Sequence, residues 1–110
     1  MGRRITTKWD LPFSIVKIVS TICADYDRRR IAMQFKTDSA DVIREYERLN
    51  GIIDSALLEI EVGIRRVMLD DVILGRGYDF SPASPFLAKN TYYQRKCKLV
   101  YDIAKGMMLV

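Results

Sequence analysis

Histidine is absent from this sequence of 110 residues, and with it goes the imidazole on which the commonest general-base and nucleophile-activating pairs depend. The two cysteines, Cys23 and Cys97, stand far apart and form no CxxC, so the usual tetrahedral zinc ligand sets are missing as well. Both sit in apolar helical settings and read as two buried thiols more simply than as a disulfide. Three prolines and six glycines are too few for a collagen-like or linker composition. No apolar run approaches the roughly 20 residues that span a bilayer, since Lys17 interrupts the most apolar early stretch. The start of the chain carries no small-residue cleavage pattern of a secretory leader. The expectation is a cytoplasmic chain with no membrane span, no metal and no cofactor.

What remains is 49% hydrophobic and 29% charged, enough apolar material for one domain with a real core. The net charge of +4 is unevenly spread. Residues 1–36 hold eight Lys/Arg against three Asp/Glu, residues 37–74 hold four against nine, and residues 75–110 hold six against two. An acidic middle thus lies between two basic ends. Local basic density attracts phosphate more than net charge does, so one or both ends suggest a nucleic-acid-facing surface, the alternative being an ordinary solvated one.

The first nine residues show no period and read as a loose basic arm. Asp10-Leu11-Pro12 looks like a helix start, with Asp10 as the cap and Pro12 in the first turn. Phe13, Val16, Val19 and Cys23 follow at helical spacing, with Ile15, Ile18 and Ile22 beside them, making a segment apolar nearly all round. Such a helix packs on several neighbours within the monomer or across a subunit interface, and these four residues are the oligomerisation candidates for a homodimer. Residues 26–30, with the triplet Arg28-Arg29-Arg30, break the pattern. The triplet either forms solvated pairs with Asp25 and Asp27 or touches phosphate.

A strong helical signal begins at Thr37-Asp38-Ser39, where Asp38 or Ser39 can cap and Asp41 sits in the opening turn. Val42, Tyr46, Leu49, Ile53, Ala56, Ile60, Gly63 and Val67 share one face, as a helical hairpin or a long helix would have it, with a bend at Asn50-Gly51 or a close crossing at Gly63. Gly75-Arg76-Gly77 ends the run. Ser81-Pro82 reads as a cap and first-turn proline of a short helix ending by residue 88, and Asn90 or Thr91 opens the last helix, with Tyr93, Cys97, Val100, Ala104 and Met107 on its apolar face. The domain plan is therefore residues 1–36 as basic arm and apolar helix, and residues 37–110 as helical core.

The segment GRGYDFSPASPFLAKNTYYQRKCKLVYDIAKGMMLV resembles the end of small phage and prophage transcription regulators of the ArpU/RinA kind, whose C-terminal parts are similar to the helix-turn-helix of sigma factor region 4. The likeness is carried by Asn90-Thr91-Tyr92-Tyr93-Gln94-Arg95-Lys96, then Lys98-Leu99-Val100 and Ile103-Ala104, and it covers roughly residues 60–110. It implies an all-α bundle ending in a helix-turn-helix, a recognition helix near residues 90–104, and transcriptional control through double-stranded DNA. Residues 81–88 stand where a support helix belongs, but Pro82 and Pro85 crowd it.

Helix geometry points to the same stretch from the residues alone. With Tyr93, Cys97, Val100 and Ala104 inward, Gln94, Arg95, Lys98 and Lys105 project from other sides. Gln94 suits a bidentate contact to adenine and Arg95 one to guanine. Lys89, Lys96, Lys98 and Arg76 are phosphate candidates, Thr91 lies at the exposed end, and Asn90 either caps or contacts DNA. Tyr92 either meets sugar and phosphate or covers a groove between helices. For Arg95 and Lys98 the alternative is a solvated helix face. Asp70 and Asp71 diverge by about 100° on a helix, so they read as ion-pair residues rather than a metal pair. The expected function is a non-enzymatic DNA-binding regulator, with contact to RNA polymerase through the acidic middle as a further option. The alternative is a protein–protein adaptor or phage assembly protein.

Overall fold

The computed structural model describes residues 9–110, so the basic arm containing Arg3, Arg4 and Lys8 lies outside the described residues. Among the described residues every regular element is helical: α1 (Phe13–Ala24), α2 (Tyr26–Phe35), α3 (Ala40–Leu57), a 3-10 turn (Val62–Ile64), α4 (Arg65–Leu74), a second 3-10 turn (Tyr78–Phe80) and α5 (Lys89–Gly106). The bundle is built from α1 laid on α4 and α5, α2 laid on α3, and α3 laid on α5. No helix among these residues is long and apolar enough to cross a membrane.

α1 begins where the apolar period does, but Pro12 rather than Asp10 holds the cap position, its carbonyl accepting from the Ile15 and Val16 amides. Its inward face is fully covered within the same chain. Val19 and Cys23 have no exposed surface and join Ile53, Met68, Leu69, Leu99 and Ile103 in one core cluster. They are therefore not available to a second subunit, and of the four oligomerisation candidates only Phe13, 78% exposed, and the half-buried Val16 face outward to any degree. Burial pushes the Cys23 thiol up to about 12. The described part of residues 1–36 shares its core with residues 37–110.

α2 is a helix that the sequence pattern hid. Its buried positions are Arg29 and Ala32, and the arginine reads as a break in the apolar period although it points into the bundle. Arg29 Nε donates to Asn50 Oδ1 (2.7 Å) and its terminal nitrogen to the Ile22 carbonyl (2.6 Å) at the end of α1. One guanidinium thus closes α1 and ties α2 to α3. Arg28 pairs with Asp25 and Tyr46, and Arg30 lies 3.9 Å from Asp27, both as exposed surface pairs, so of the triplet Arg29 alone is committed to the fold's interior.

Ser39 caps α3, accepting from the Val42 amide, with Asp41 in the first turn. The helix runs unbroken through Gly51 and stops after Leu57, short of the crossing expected at Gly63, whose surroundings are open. The last carbonyls of the helix accept from the backbone amides of Leu58, Glu59 and Ile60, and just past the end Arg65 donates to the Ile60 (2.8 Å) and Leu58 (3.3 Å) carbonyls. At the far end of α4, Gly75 takes φ +66°, the left-handed cap conformation glycine adopts without strain.

Candidate nucleic-acid interface

α4 carries one acid on its inward face. Asp71 has no exposed surface, and a buried carboxylate is tolerable only when its lone pairs are filled. Three donors fill them: Arg76 Nε at 2.6 Å, the Ser81 hydroxyl, and the Tyr92 hydroxyl at 2.8 Å. The node joins the end of α4, the connector of residues 75–88 and the first turn of α5. Burial and the Asp71 carboxylate raise the Tyr92 phenol far above its ordinary value, so it stays a donor.

Tyr78 adds a second tie. Its hydroxyl lies between the Ser84 and Leu87 carbonyls, its amide donates to the Tyr93 hydroxyl (3.3 Å), and its ring meets Tyr92 edge-on at 5.3 Å. Residues 81–88 form successive turns, with Ser84 bonded to the Ser81 carbonyl and Phe86 to that of Ala83, rather than the short helix expected there. Pro82 is harmless in a first turn, but Pro85 supplies no amide for the first ladder bond back to the Ser81 carbonyl, so the helical ladder fails there.

The inward stripe of α5 is Tyr92, Leu99, Val100, Ile103 and Ala104. Compared with the face expected around Tyr93 and Cys97, the helix is turned by less than one residue's ~100° step. That small rotation re-sorts the candidate residues. Tyr92 is inside, covering the groove between helices, and is removed from any contact with DNA. Lys96 follows it inward: Nζ donates to the Arg76 carbonyl (2.6 Å), and desolvation lowers its pKa. Arg76 is committed to Asp71 through its side chain. These three leave the set of outward-facing DNA candidates.

Arg95 and Lys98 remain at the surface with partners, Glu61 at 2.8 Å and Asp102 at 2.7 Å. Partly exposed pairs of this kind are worth at most ~1 kcal/mol and exchange readily for a phosphate. Lys89, Asn90 and Gln94 are exposed and make no side-chain hydrogen bond or ion pair among the described residues, and Thr91 is half-exposed beside them. Asn90 lies inside the helix and does not cap it. The cap position is held by Ala88, with no side-chain hydrogen bond and no acid in the first turn. Among the described residues no cluster of His, Cys, Asp and Glu is arranged to hold a metal ion.

The positioning residues Asp71, Ser81 and Tyr78 were not singled out for this role by sequence reasoning. The signal for Asp71 was there, since it falls on the face set by Met68 and Val72. Compared with protein-family models, with curated proteins and with solved structures, the chain matches none.

Proposed function

We propose that this protein is a sequence-specific double-stranded DNA-binding transcriptional regulator of the ArpU/RinA kind, reading its site with the first two turns of α5. In this reading α4 is the scaffold helix, residues 75–88 are an extended turn, and α5 enters the major groove. The observation that carries it is the exposed, uncapped, acid-free first turn of α5, which begins with Lys89. A lysine there opposes the usual preference for acids at a helix start, and a first turn with free amides and a cation is suited to a phosphate oxygen. Gln94 lies one turn beyond the exposed Asn90 and is itself exposed, and its amide has the donor and acceptor that adenine's major-groove edge requires. The node at Asp71 fixes the orientation of this turn.

The two residues have separable roles. Lys89→Gln weakens binding to all duplexes alike and makes the slope of log K against log[salt] shallower by about 0.9. Gln94→Ala costs about 1–3 kcal/mol on the preferred site and relaxes one base position. Affinities unchanged in both variants, with circular dichroism unchanged, overturn the proposal.

A second reading, a protein–protein adaptor, is favoured by one feature: Phe13, Phe80 and Phe86 are each at least three-quarters exposed. A homodimer held through some of these rings serves the regulator reading equally, because a dimer doubles the length of duplex read. Sedimentation of Phe13→Ser distinguishes a dimer that needs Phe13 from one that does not.

A further inference from the structure

α2 and α3 form an antiparallel hairpin, tied by Arg29 to Asn50 and by Tyr26 to Asp54. Only its base belongs to the core. Among the described residues the core cluster takes in Tyr26 from α2 and Ile52, Ile53, Ala56 and Leu57 from α3, and nothing from residues 27–49. The apolar period of α3 does not stop there, since Val42, Tyr46 and Leu49 lie on the stripe of Ile53 and Ala56 at spacings of four and three. The Arg28 guanidinium stands 5.3 Å over the Tyr46 ring and donates to its hydroxyl, so the stripe of Arg28, Ile31 and Phe35 on α2 borders the same side. Ile31 is 49% exposed, Phe35 66% and Val42 38%. One apolar stripe is thus covered by the core over its second half and open over its first. The charges on this hairpin suit a like partner. Apart from the buried Arg29, residues 26–49 carry five cations and five acids, a balance that neither attracts a polyanion nor repels a second copy. The two ends differ in sign. Arg28, in an exposed pair with Asp25, stands at the base, and Asp38, which makes no ion pair with a described residue, stands at the tip four residues before Val42.

We propose that the open stripe of the α2–α3 hairpin is the interface with a second copy of this chain, two hairpins packing antiparallel as a four-helix bundle about a two-fold axis. Each copy supplies the cover that Phe35 and Val42 of the other lack, and Arg28 of each meets Asp38 of the other. α5 runs antiparallel to α3, with Arg95 beside Glu61 and Gly106 beside Ile52, so Lys89 lies at the end away from the hairpin tip. The dimer therefore leaves the first turns of α5 uncovered in both copies, and it does not depend on what those turns bind.

Sedimentation equilibrium of the full chain over a range of concentrations tests the proposal, and the parent protein is expected to show a reversible monomer–dimer equilibrium. A symmetric interface carries every substitution twice. The double variant Phe35→Ser, Val42→Ser is therefore expected to raise the dimer dissociation constant at least about 100-fold, with circular dichroism unchanged because neither side chain joins the core. Asp38→Arg and Arg28→Asp test the orientation. Each alone sets like charges against each other at both ends of the interface and weakens self-association, whereas an equimolar mixture of the two restores opposite charges and forms a heterodimer. A parent protein that stays monomeric at every concentration, a double variant that dimerises as the parent does, or a mixture that associates no better than its separate components overturns the proposal.

Discussion

Replacing Ala88 by aspartate separates stability from binding at the start of α5. Ala88 has φ −65° and ψ 152°, the extended backbone of a capping residue, and it is exposed, so an aspartate fits without strain. Its carboxylate accepts from the free amides of the first turn and faces the positive end of an 18-residue helix. Caps of this kind are worth about 0.5–2 kcal/mol, and at ~1 kcal/mol a chain of this length gains about 4 °C in melting temperature. The same carboxylate occupies the place of a phosphate. A charge-assisted hydrogen bond of about 1.5–3 kcal/mol is lost, so duplex affinity falls at least about tenfold. Ala88→Ser supplies a neutral cap and should stabilise with a smaller loss of binding. Thermal unfolding and duplex titration on the three proteins read both effects. A stabilised Ala88→Asp that binds duplex as well as the parent refutes the assignment of this turn to phosphate, and an aspartate that does not stabilise refutes the reading of an uncapped helix.

Gly51 lies in mid-helix with open space where a side chain would go, so Gly51→Ala stabilises by about 1 kcal/mol in denaturant unfolding. At Gly106 an added Cβ would meet Ile52 Cγ2 at 2.6 Å, and Gly106→Ala therefore falls short of that gain or destabilises. Tyr92→Phe leaves the buried Asp71 with two donors in place of three and costs about 1–3 kcal/mol, measured by the same unfolding curves. Arg66 hydrogen-bonds Asp27 and holds its carboxyl below the usual range. The stabilisation from a depressed acid is present above the unfolded-state value near 3.9 and is lost as pH falls through the lower folded value. Arg66→Gln should therefore be less stable than the parent at pH 7, by less than about 1 kcal/mol for this exposed pair, with the gap closing as pH falls below the unfolded-state value of the Asp27 carboxyl.

Elements announced by local chemistry were legible in the sequence. Ser39 at the start of α3, Gly75 at the end of α4 and the apolar run of α1 each carry their own signal, and each sits where that signal put it. Those settled by distant partners were not. α2 is concealed by Arg29, whose burial depends on Asn50 and the end of α1. Just past Leu57, Arg65 reaches back to the Leu58 and Ile60 carbonyls, a contact that no local signal announces. The facing of α5 turned on whether Tyr92 or Tyr93 goes inside, and a buried carboxylate 21 residues earlier favours Tyr92. Lys89, Asn90 and Gln94 were legible as outward residues. Lys96 and Arg76 were not legible as inward ones, because a cation bonded to a carbonyl or a buried acid looks in sequence like any surface cation.

Reading of duplex sequence by α5 is tested most directly by selecting from a random duplex library with the purified full chain and with Gln94→Ala in parallel. The parent protein is expected to enrich a common site, and Gln94→Ala to enrich the same site with one adenine position relaxed. A parent selection that enriches no sequence, or a variant site identical at every position, contradicts it.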